Sequence, residues 1–150
     1  MVMDRGTESL WCQMVRLEHV NLVRVQGEID VSNIYIPQDV LTQALRDRLP
    51  LVIDLSRVTY LDSTALNVLM GIRDRCRIMD VDLALVFTSQ AMREVFSALS
   101  LHEVFDIFPN VDDAVRLMTA RRTCNAAAPQ ARVLGQAAET ETGNYARPLA

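Results

Sequence analysis

The sequence predicts one α/β domain with a mostly parallel sheet, and three observations support this prediction. Apolar segments with strand periodicity alternate with segments of helix periodicity between residues 13 and 122. Half of the 150 residues are hydrophobic and 23% are charged, so the chain has enough apolar material to form a core. A chain of this length also has the usual size of one compact domain.

The first two predicted strands form a hairpin. Residues 13–17 and 20–26 both alternate apolar and polar side chains, as half-buried strands do, and a short turn separates them. We expect these two strands to pair antiparallel. Gly27 is predicted to end the second strand and to open a loop that extends to residue 33.

The first helix and the central strand come next. Pro37 suits the first turn of a helix, where its missing N–H costs nothing, and Pro50 ends the helical spacing of apolar residues. Residues 51–55 form a continuous apolar run, which is typical of a strand that is covered on both faces. Residues 56–61 are predicted to form a loop.

The second helix has the sharpest start signal in the sequence. Asp62, Ser63 and Thr64 are three N-cap candidates in a row, directly before a helical pattern. One buried stripe follows at steps of three and four residues. It comprises Ala65, Leu69, Ile72, Cys76 and Met79, with Val68 beside them.

The last part of the domain continues the alternation of strand and helix. Residues 83–87 are a second buried strand, and Ser89 is predicted to cap the third helix. The apolar side of that helix comprises Met92, Val95, Phe96 and Leu99. Residues 104–108 are a short last strand, and Asn110 is predicted to cap a final helix. The element order β-β-α-β-α-β-α-β-α implies right-handed crossovers and a mixed sheet with helices packed against it.

The two ends of the chain differ from this domain. Residues 1–12 precede the first predicted strand and form an N-terminal extension to a domain at 13–122. Residues 123–150 are rich in Ala, Thr, Gln and Glu, and their few large apolar groups follow no period. We expect this segment to be a disordered C-terminal tail.

Composition excludes several classes of partner. Fifteen basic residues, all of them arginine, stand against nineteen acidic ones, and the net charge of −4 argues against nucleic-acid binding. No apolar run approaches the ~20 residues of a membrane helix, and residues 1–13 lack the apolar core of a secretory signal. Three cysteines without a C-x-x-C pair indicate neither a disulfide framework nor a zinc site. We expect a cytoplasmic protein with no membrane segment.

No enzyme motif is present. The sequence contains neither a Gly-rich phosphate loop nor a G-x-S-x-G elbow, and nothing places His19 or His102 near Ser63. Asp54 and Asp62 are two carboxylates without further oxygen ligands, which makes a weak case for Mg²⁺. We therefore expect no catalytic residues, no metal and no cofactor.

Two interpretations fit the consecutive residues Asp62, Ser63 and Thr64. One is purely structural, because a helix start needs a side-chain acceptor and gains ~1 kcal/mol from it. The other is functional, because a cap requires one residue and three leave a spare hydroxyl at the rim where α/β sheets bind ligands and partners. Spacing alone leaves both open. Pairing of Cys12 with Cys76 is a rival switch, although such cysteines are more often inert packing residues in the cytosol.

Three segments resemble the STAS domain family, which is named for sulfate transporters and anti-sigma factor antagonists. Residues 51–66, LVIDLSRVTYLDSTAL, resemble its signature of a buried strand ending in Asp-Leu, a short loop, and then Asp-Ser-Ser/Thr-Gly-Leu. Residues 27–30, GEID, resemble its Gly-Glu-Leu/Ile-Asp loop. Residues 100–105, SLHEVF, resemble its Gly-Leu-x-x-x-Phe segment, and the resemblance covers about residues 13–120.

The resemblance implies an anti-sigma factor antagonist that binds an anti-sigma factor and so frees a sigma factor. In that family the anti-sigma factor is also a serine kinase, which phosphorylates the serine after the motif aspartate, and a serine phosphatase reverses the modification. Carried over to this chain, Ser63 is the phosphorylated residue. The partner-binding residues are Asp30, Asp62, Ser63, Thr64, Leu66 and Asn67.

One position departs from the family pattern, since Ala65 stands where the family has glycine. We expect a methyl group at this position to hinder the close approach of a kinase active site to Ser63. The resemblance also leaves an alternative, a STAS subunit of a larger transport or stress-signalling assembly that is not phosphorylated. A domain that binds a small ligand is a further alternative, which the absence of Gly-rich loops disfavours.

Overall fold

The computed structural model describes residues 2–6 and 9–127, with side chains from residue 9 to residue 124. Six strands and four helices lie in this part of the chain. The strands are β1 Val2–Gly6, β2 Leu10–Arg16, β3 Asn21–Ile29, β4 Leu51–Leu61, β5 Leu83–Val86 and β6 Asp106–Phe108. The helices are α1 Tyr35–Ala44, α2 Ser63–Met79, α3 Gln90–Ala98 and α4 Val111–Ala127. Short 3-10 turns follow α1 and α3, at Leu45–Asp47 and Leu101–Glu103.

The strands form one mixed sheet in the order β1-β2-β3-β4-β5-β6. The first three pair antiparallel, and β3 to β6 pair parallel. Sequential neighbours joined by helices follow the short-connection rule for α/β folds. The predicted fold class is confirmed. The structure adds β1, which lies within residues 1–12, the segment predicted to be an extension, and pairs with β2.

Helices cover both faces of the sheet. One apolar core lies between the sheet and α1, α2 and α3, and a second, smaller core lies between the sheet and α4. Alternate residues of β4 serve the two cores, since Leu51 and Ile53 face the first and Val52 faces the second. This double coverage explains the continuous apolar run in the sequence.

Two predicted loops belong to strands. Gly27 does not end β3; it has φ +108°, and a Cβ there would lie 2.2 Å from the Ser9 carbonyl oxygen, so glycine is required inside the strand. Residues 56–61 continue β4 to Leu61, paired with β3 through two shifts of register. Irregular pairing of this kind is set by the neighbouring strand, which the local composition does not reveal.

Several element ends also differ from prediction. In α3, Met92 and Phe96 are buried, but Val95 and Leu99 are exposed, so the apolar stripe is narrower than predicted. The last strand begins only at Asp106. Helix α4 continues through residues 123–127, which were assigned to the tail, and the rest of that predicted tail, residues 128–150, lies outside the described residues.

Asp82 lies near one arginine and two other carboxylates, at the amino ends of β5 and β6. Arg121 of α4 forms an ion pair with Asp106 at 3.6 Å. Burial raises the pKa of the Asp82 carboxyl above its ordinary value, Arg121 opposes this shift, and Asp80 and Asp106 add to it. The ionised form of Asp82 is therefore unfavourable in the folded chain.

The Asp82→Asn variant should be more stable than the original chain at pH 7. Because the folded pKa of Asp82 exceeds its unfolded value near 3.8, the stabilising contribution of the protonated form is complete below that pH. It is lost as the pH rises through the folded pKa. Thermal unfolding should show a higher Tm for the variant at pH 7 and a smaller difference near pH 4.

The control for this experiment is Asp106→Asn. That change removes the ion pair with Arg121 but also one of the repulsions on Asp82, so its effect on the Tm at pH 7 should be smaller than that of Asp82→Asn. A gain in Tm for Asp106→Asn with none for Asp82→Asn would contradict the assignment.

Candidate functional site

The candidate site is built around one carboxylate at the carboxyl edge of the sheet, where β4 ends and α2 begins. Asp62 is the N-cap of α2, and its Oδ1 accepts a hydrogen bond from the Ala65 N–H at 2.9 Å. Its Oδ2 accepts from the Val31 N–H at 3.1 Å, in the loop between β3 and α1. The Asp62 side chain therefore joins two neighbouring segments of this edge.

The loop from β3 to α1 is held by its own polar side chains. Asn33 is buried; its Oδ1 accepts from the Asp30 N–H at 3.0 Å, and its Nδ2 donates to the Glu28 carbonyl at 2.8 Å. The Asp30 carboxylate accepts from both the hydroxyl and the N–H of Ser32. These hydrogen bonds, the hydroxyl first, lower the pKa of Asp30, so this carboxylate is ionised at neutral pH.

Ser63 is the first residue of α2 and is exposed to solvent. Among the described residues, its hydroxyl has no hydrogen-bond partner, because Asp62 supplies the cap. Thr64 is partly exposed, Asn67 is exposed, and Leu66 is partly buried against the core. The structure thus brings Asp62, Ser63 and the loop after Asp30 together at one edge.

Ala65 points away from this surface. It is 1% exposed and belongs to the core between the sheet and the helices. Its methyl group therefore does not stand between Ser63 and an approaching protein. This position argues against the expected hindrance of a kinase by alanine in place of the family's glycine.

Three exposed apolar residues lie in the segments that meet at this edge, and the sequence analysis did not identify them. Val31 is 71% exposed in the β3–α1 loop, Tyr35 begins α1, and Tyr60 lies two residues before Asp62. The sequence feature that could have identified Val31 is an apolar residue between the polar residues Asp30 and Ser32 of a loop. We call Asp30, Val31, Tyr35, Asp62 and Ser63, with their neighbours Tyr60, Thr64, Leu66 and Asn67, the Ser63 surface.

The other candidate groups do not join this surface. His19 precedes β3 and His102 precedes β6, so both lie at the opposite edge of the parallel strands from Ser63. Asp54 lies within β4, where it forms an ion pair with Arg24 at 3.6 Å and does not converge with Asp62. In the part of the chain that the structure describes, no group of three or more His, Cys, Asp or Glu side chains is placed to hold a metal ion.

Cys76 is unsuited to redox chemistry at neutral pH. Cys12 and Cys76 are both buried in the larger core. Burial raises the pKa of the Cys76 thiol to about 12, so the reactive thiolate is scarce. Separately, none of the described helices is both long and apolar enough to cross a bilayer.

Comparison with known proteins gives a consistent set of matches. The family model of the STAS domain matches residues 12–114. The anti-sigma-F factor antagonist RsfA of Mycobacterium tuberculosis is 29% identical over 97 residues, which is 63% of this chain and 76% of that protein. A putative anti-anti-sigma factor of the same species is 29% identical over 102 residues, 66% of this chain and 69% of that protein.

Solved structures give the same fold. The crystal structure of an anti-sigma factor antagonist from Mycobacterium paratuberculosis has a TM-score of 0.67 and 25% identity, and the match covers 75% of this chain and 97% of that chain. The phosphorylated form of the Bacillus cell fate determinant SpoIIAA has a TM-score of 0.57 and 16% identity, with coverage of 71% and 98%. The second likeness concerns the fold alone.

Replacing Asp62 with alanine should lower the free energy of unfolding by about 1–2 kcal/mol, because α2 loses its N-cap acceptor. The Val31 amide also loses its acceptor, so NMR should show faster hydrogen exchange at Val31. The control Ser89→Ala removes the N-cap of α3 and should cost about as much stability without changing exchange at Val31. Equal exchange at Val31 in the original chain and in Asp62→Ala would refute the bridging role.

Proposed function

Because this chain belongs to the STAS domain family, we propose that it is an anti-sigma factor antagonist. In this role it binds an anti-sigma factor, without catalysis, and so releases a sigma factor. Two mycobacterial proteins with that name match this chain over most of their own length. The observation that carries the proposal is the exposed Ser63 hydroxyl, left without a partner among the described residues beside the Asp62 cap. Because sigma factors act on RNA polymerase, the proposal places this protein in the cytoplasm.

The Ser63 surface is the proposed contact with the anti-sigma factor. Exposed apolar side chains supply the area that a protein interface buries, and in the Ser63 surface Val31, Tyr35 and Tyr60 are each more than half exposed. Asp30, Asp62, Thr64, Leu66 and Asn67 complete the contact set. The two carboxylates favour a partner with basic groups opposite them, which supports orientation more than affinity.

We further propose that the anti-sigma factor is a serine kinase that phosphorylates Ser63, and that a serine phosphatase restores the hydroxyl. A phosphoserine adds about −1.5 to −2 charges and three acceptor oxygens. At the start of a helix such an anion is favourable by roughly 0.3–1 kcal/mol, so the domain stays folded.

The effect of the phosphate falls on the complex. The phosphate stands beside the Asp62 carboxylate, in the centre of the surface that the partner covers. Enclosing a charge that lacks a counter-charge costs several kcal/mol, and a loss of 2–3 kcal/mol already weakens binding about 30- to 150-fold. The cost of enclosing the phosphate in the interface exceeds the gain from the phosphate at the helix start. Phosphorylation therefore dissociates the complex without unfolding the protein.

Incubation with candidate anti-sigma kinases and ATP should add one phosphate to this chain. Mass spectrometry should locate it on Ser63, and Ser63→Ala should abolish the mass shift. Ser32→Ala is the matched control, since Ser32 is also exposed, next to Val31 in the β3–α1 loop, but its hydroxyl is bonded to Asp30. A stable complex without any modification would favour the STAS subunit of a larger assembly instead.

Ser63→Asp should weaken binding to the anti-sigma factor at least about tenfold, because it places a carboxylate inside the interface. The neutral isostere Ser63→Asn should bind within about threefold of the original chain. Calorimetry measures the affinities, and circular dichroism should show the same fold for all three proteins. Equal affinities for Ser63→Asp and Ser63→Asn would contradict the electrostatic account.

A further inference from the structure

One row of exposed residues runs along the outer face of α2, from its first residue almost to its end. The members follow each other at steps of three or four residues, which is the spacing of neighbours on a helix surface. All of them are exposed: Ser63, Asn67, Gly71, Asp74 and Ile78. Because a helix rises by about 1.5 Å per residue, the row is about 22 Å long. We call these residues the α2 row.

Gly71, in the middle of the row, is a glycine that the described part of the chain does not require. Its backbone is helical, and Gly27 is the described glycine with a positive φ. A Cβ at Gly71 would have no neighbouring atom within 4 Å, so packing inside the chain does not exclude a side chain there. Glycine weakens the interior of a helix relative to alanine. The helix therefore carries a loss of stability at Gly71 that its own fold does not explain.

Ile78, at the far end of the row, is an apolar side chain that faces solvent. It is 85% exposed, the largest fraction among the exposed large apolar side chains that the structure describes. The buried residues of α2 lie on the other side of the helix: Ala65, Leu69, Ile72 and Cys76. Ile78 therefore adds nothing to the core, and only a second molecule can remove this side chain from water.

The position of the row indicates which molecule covers it. Ser63 and Asn67 belong both to the α2 row and to the Ser63 surface, so a protein on the Ser63 surface meets Gly71 as the next exposed position along α2. A stable interface takes roughly 20–30 residues from each protein, more than twice the number in the Ser63 surface. The contact with the partner therefore extends beyond the Ser63 surface. The α2 row continues that surface directly and ends in a large exposed apolar residue.

We propose that the anti-sigma factor packs a helix across the α2 row, crossing α2 at Gly71 and placing an apolar side chain against Ile78. This contact rests on the function proposed above and enlarges its surface. A helix fits because ridges on one helix pack into the grooves of another, whereas the backbone of α2 is already hydrogen-bonded and offers no edge to a strand. Without a side chain at the crossing point, the two axes can approach to about 8 Å, the short end of the usual range.

The test is calorimetric binding of glutamine variants to the same anti-sigma kinase that is used in the Ser63 experiments. Gly71→Gln and Ile78→Gln should each weaken binding at least about tenfold, because both residues lie in the covered surface. Ala120→Gln and Leu117→Gln are the matched controls. Both residues are exposed on α4, which packs on the other face of the sheet, so these variants should bind within about twofold of the original chain.

Gly71→Ala separates what the partner requires from what the chain requires. Alanine should raise the Tm by about 2–4 °C, because it favours the helix and its methyl group meets no other atom of the chain. The same variant should weaken binding about threefold, because the methyl group stands at the helix crossing. A lower Tm for Gly71→Ala would show that the chain itself needs this glycine and would overturn the proposal.

Two further outcomes would overturn the helix contact and leave the proposed function intact. In the first, Gly71→Gln and Ile78→Gln bind like the original chain while Ser63→Asp still binds weakly, so the partner does not reach the row. In the second, sedimentation shows a dimer of this chain that Ile78→Gln dissociates, which assigns the row to a second copy. If the original chain binds no anti-sigma factor, the proposed function and the helix contact both fail.

Discussion

The two hydrogen bonds accepted by the Asp62 carboxylate are the constraint on which the candidate site depends. One bond fixes the first turn of α2, and the other fixes the backbone of the β3–α1 loop at Val31. The backbone joins the same two segments once more, where the Asp62 N–H donates to the Ile29 carbonyl at 3.2 Å, at the end of the β3–β4 pairing. The Asp62 side chain thus helps to make one surface from two separate parts of the sequence, 31 residues apart.

How far the sequence predicts this structure depends on how local each interaction is. Caps are local: those at Ser89 and Asn110 were located correctly, and the cap of α2 was narrowed to three consecutive residues, of which the structure selects Asp62. The buried stripe of α2 is confirmed from Ala65 to Cys76, whereas Met79 is only partly buried. The prediction was wrong where structure depends on a neighbouring strand: it ended β4 before residue 56 and β3 at Gly27, whereas both strands continue. Strand pairing is decided by tertiary contacts more than by intrinsic preference.

The same distinction applies to the candidate site. Motifs in the sequence identify Asp30, Asp62 and Ser63. The hydrogen bond from Val31 to Asp62 joins residues that are far apart in the sequence, and no local pattern predicts it. The inward direction of Ala65 was within reach of sequence reasoning, because Ala65 starts the stripe that continues with Leu69 and Ile72. An alanine at this position of the helical repeat packs into the core.

A comparison of helix starts within the chain explains why Ser63 is the residue suited to modification. Ser89 also stands at the carboxyl edge of the sheet, but its Oγ accepts from the Met92 N–H at 3.3 Å and serves as the cap of α3. Phosphorylation of this hydroxyl would change the group that caps α3. At α2 the aspartate takes the capping role, and the serine one position later can change its charge while the helix keeps its cap. With the order Asp-Ser, the modification that we propose at Ser63 leaves the capping group of α2 unchanged.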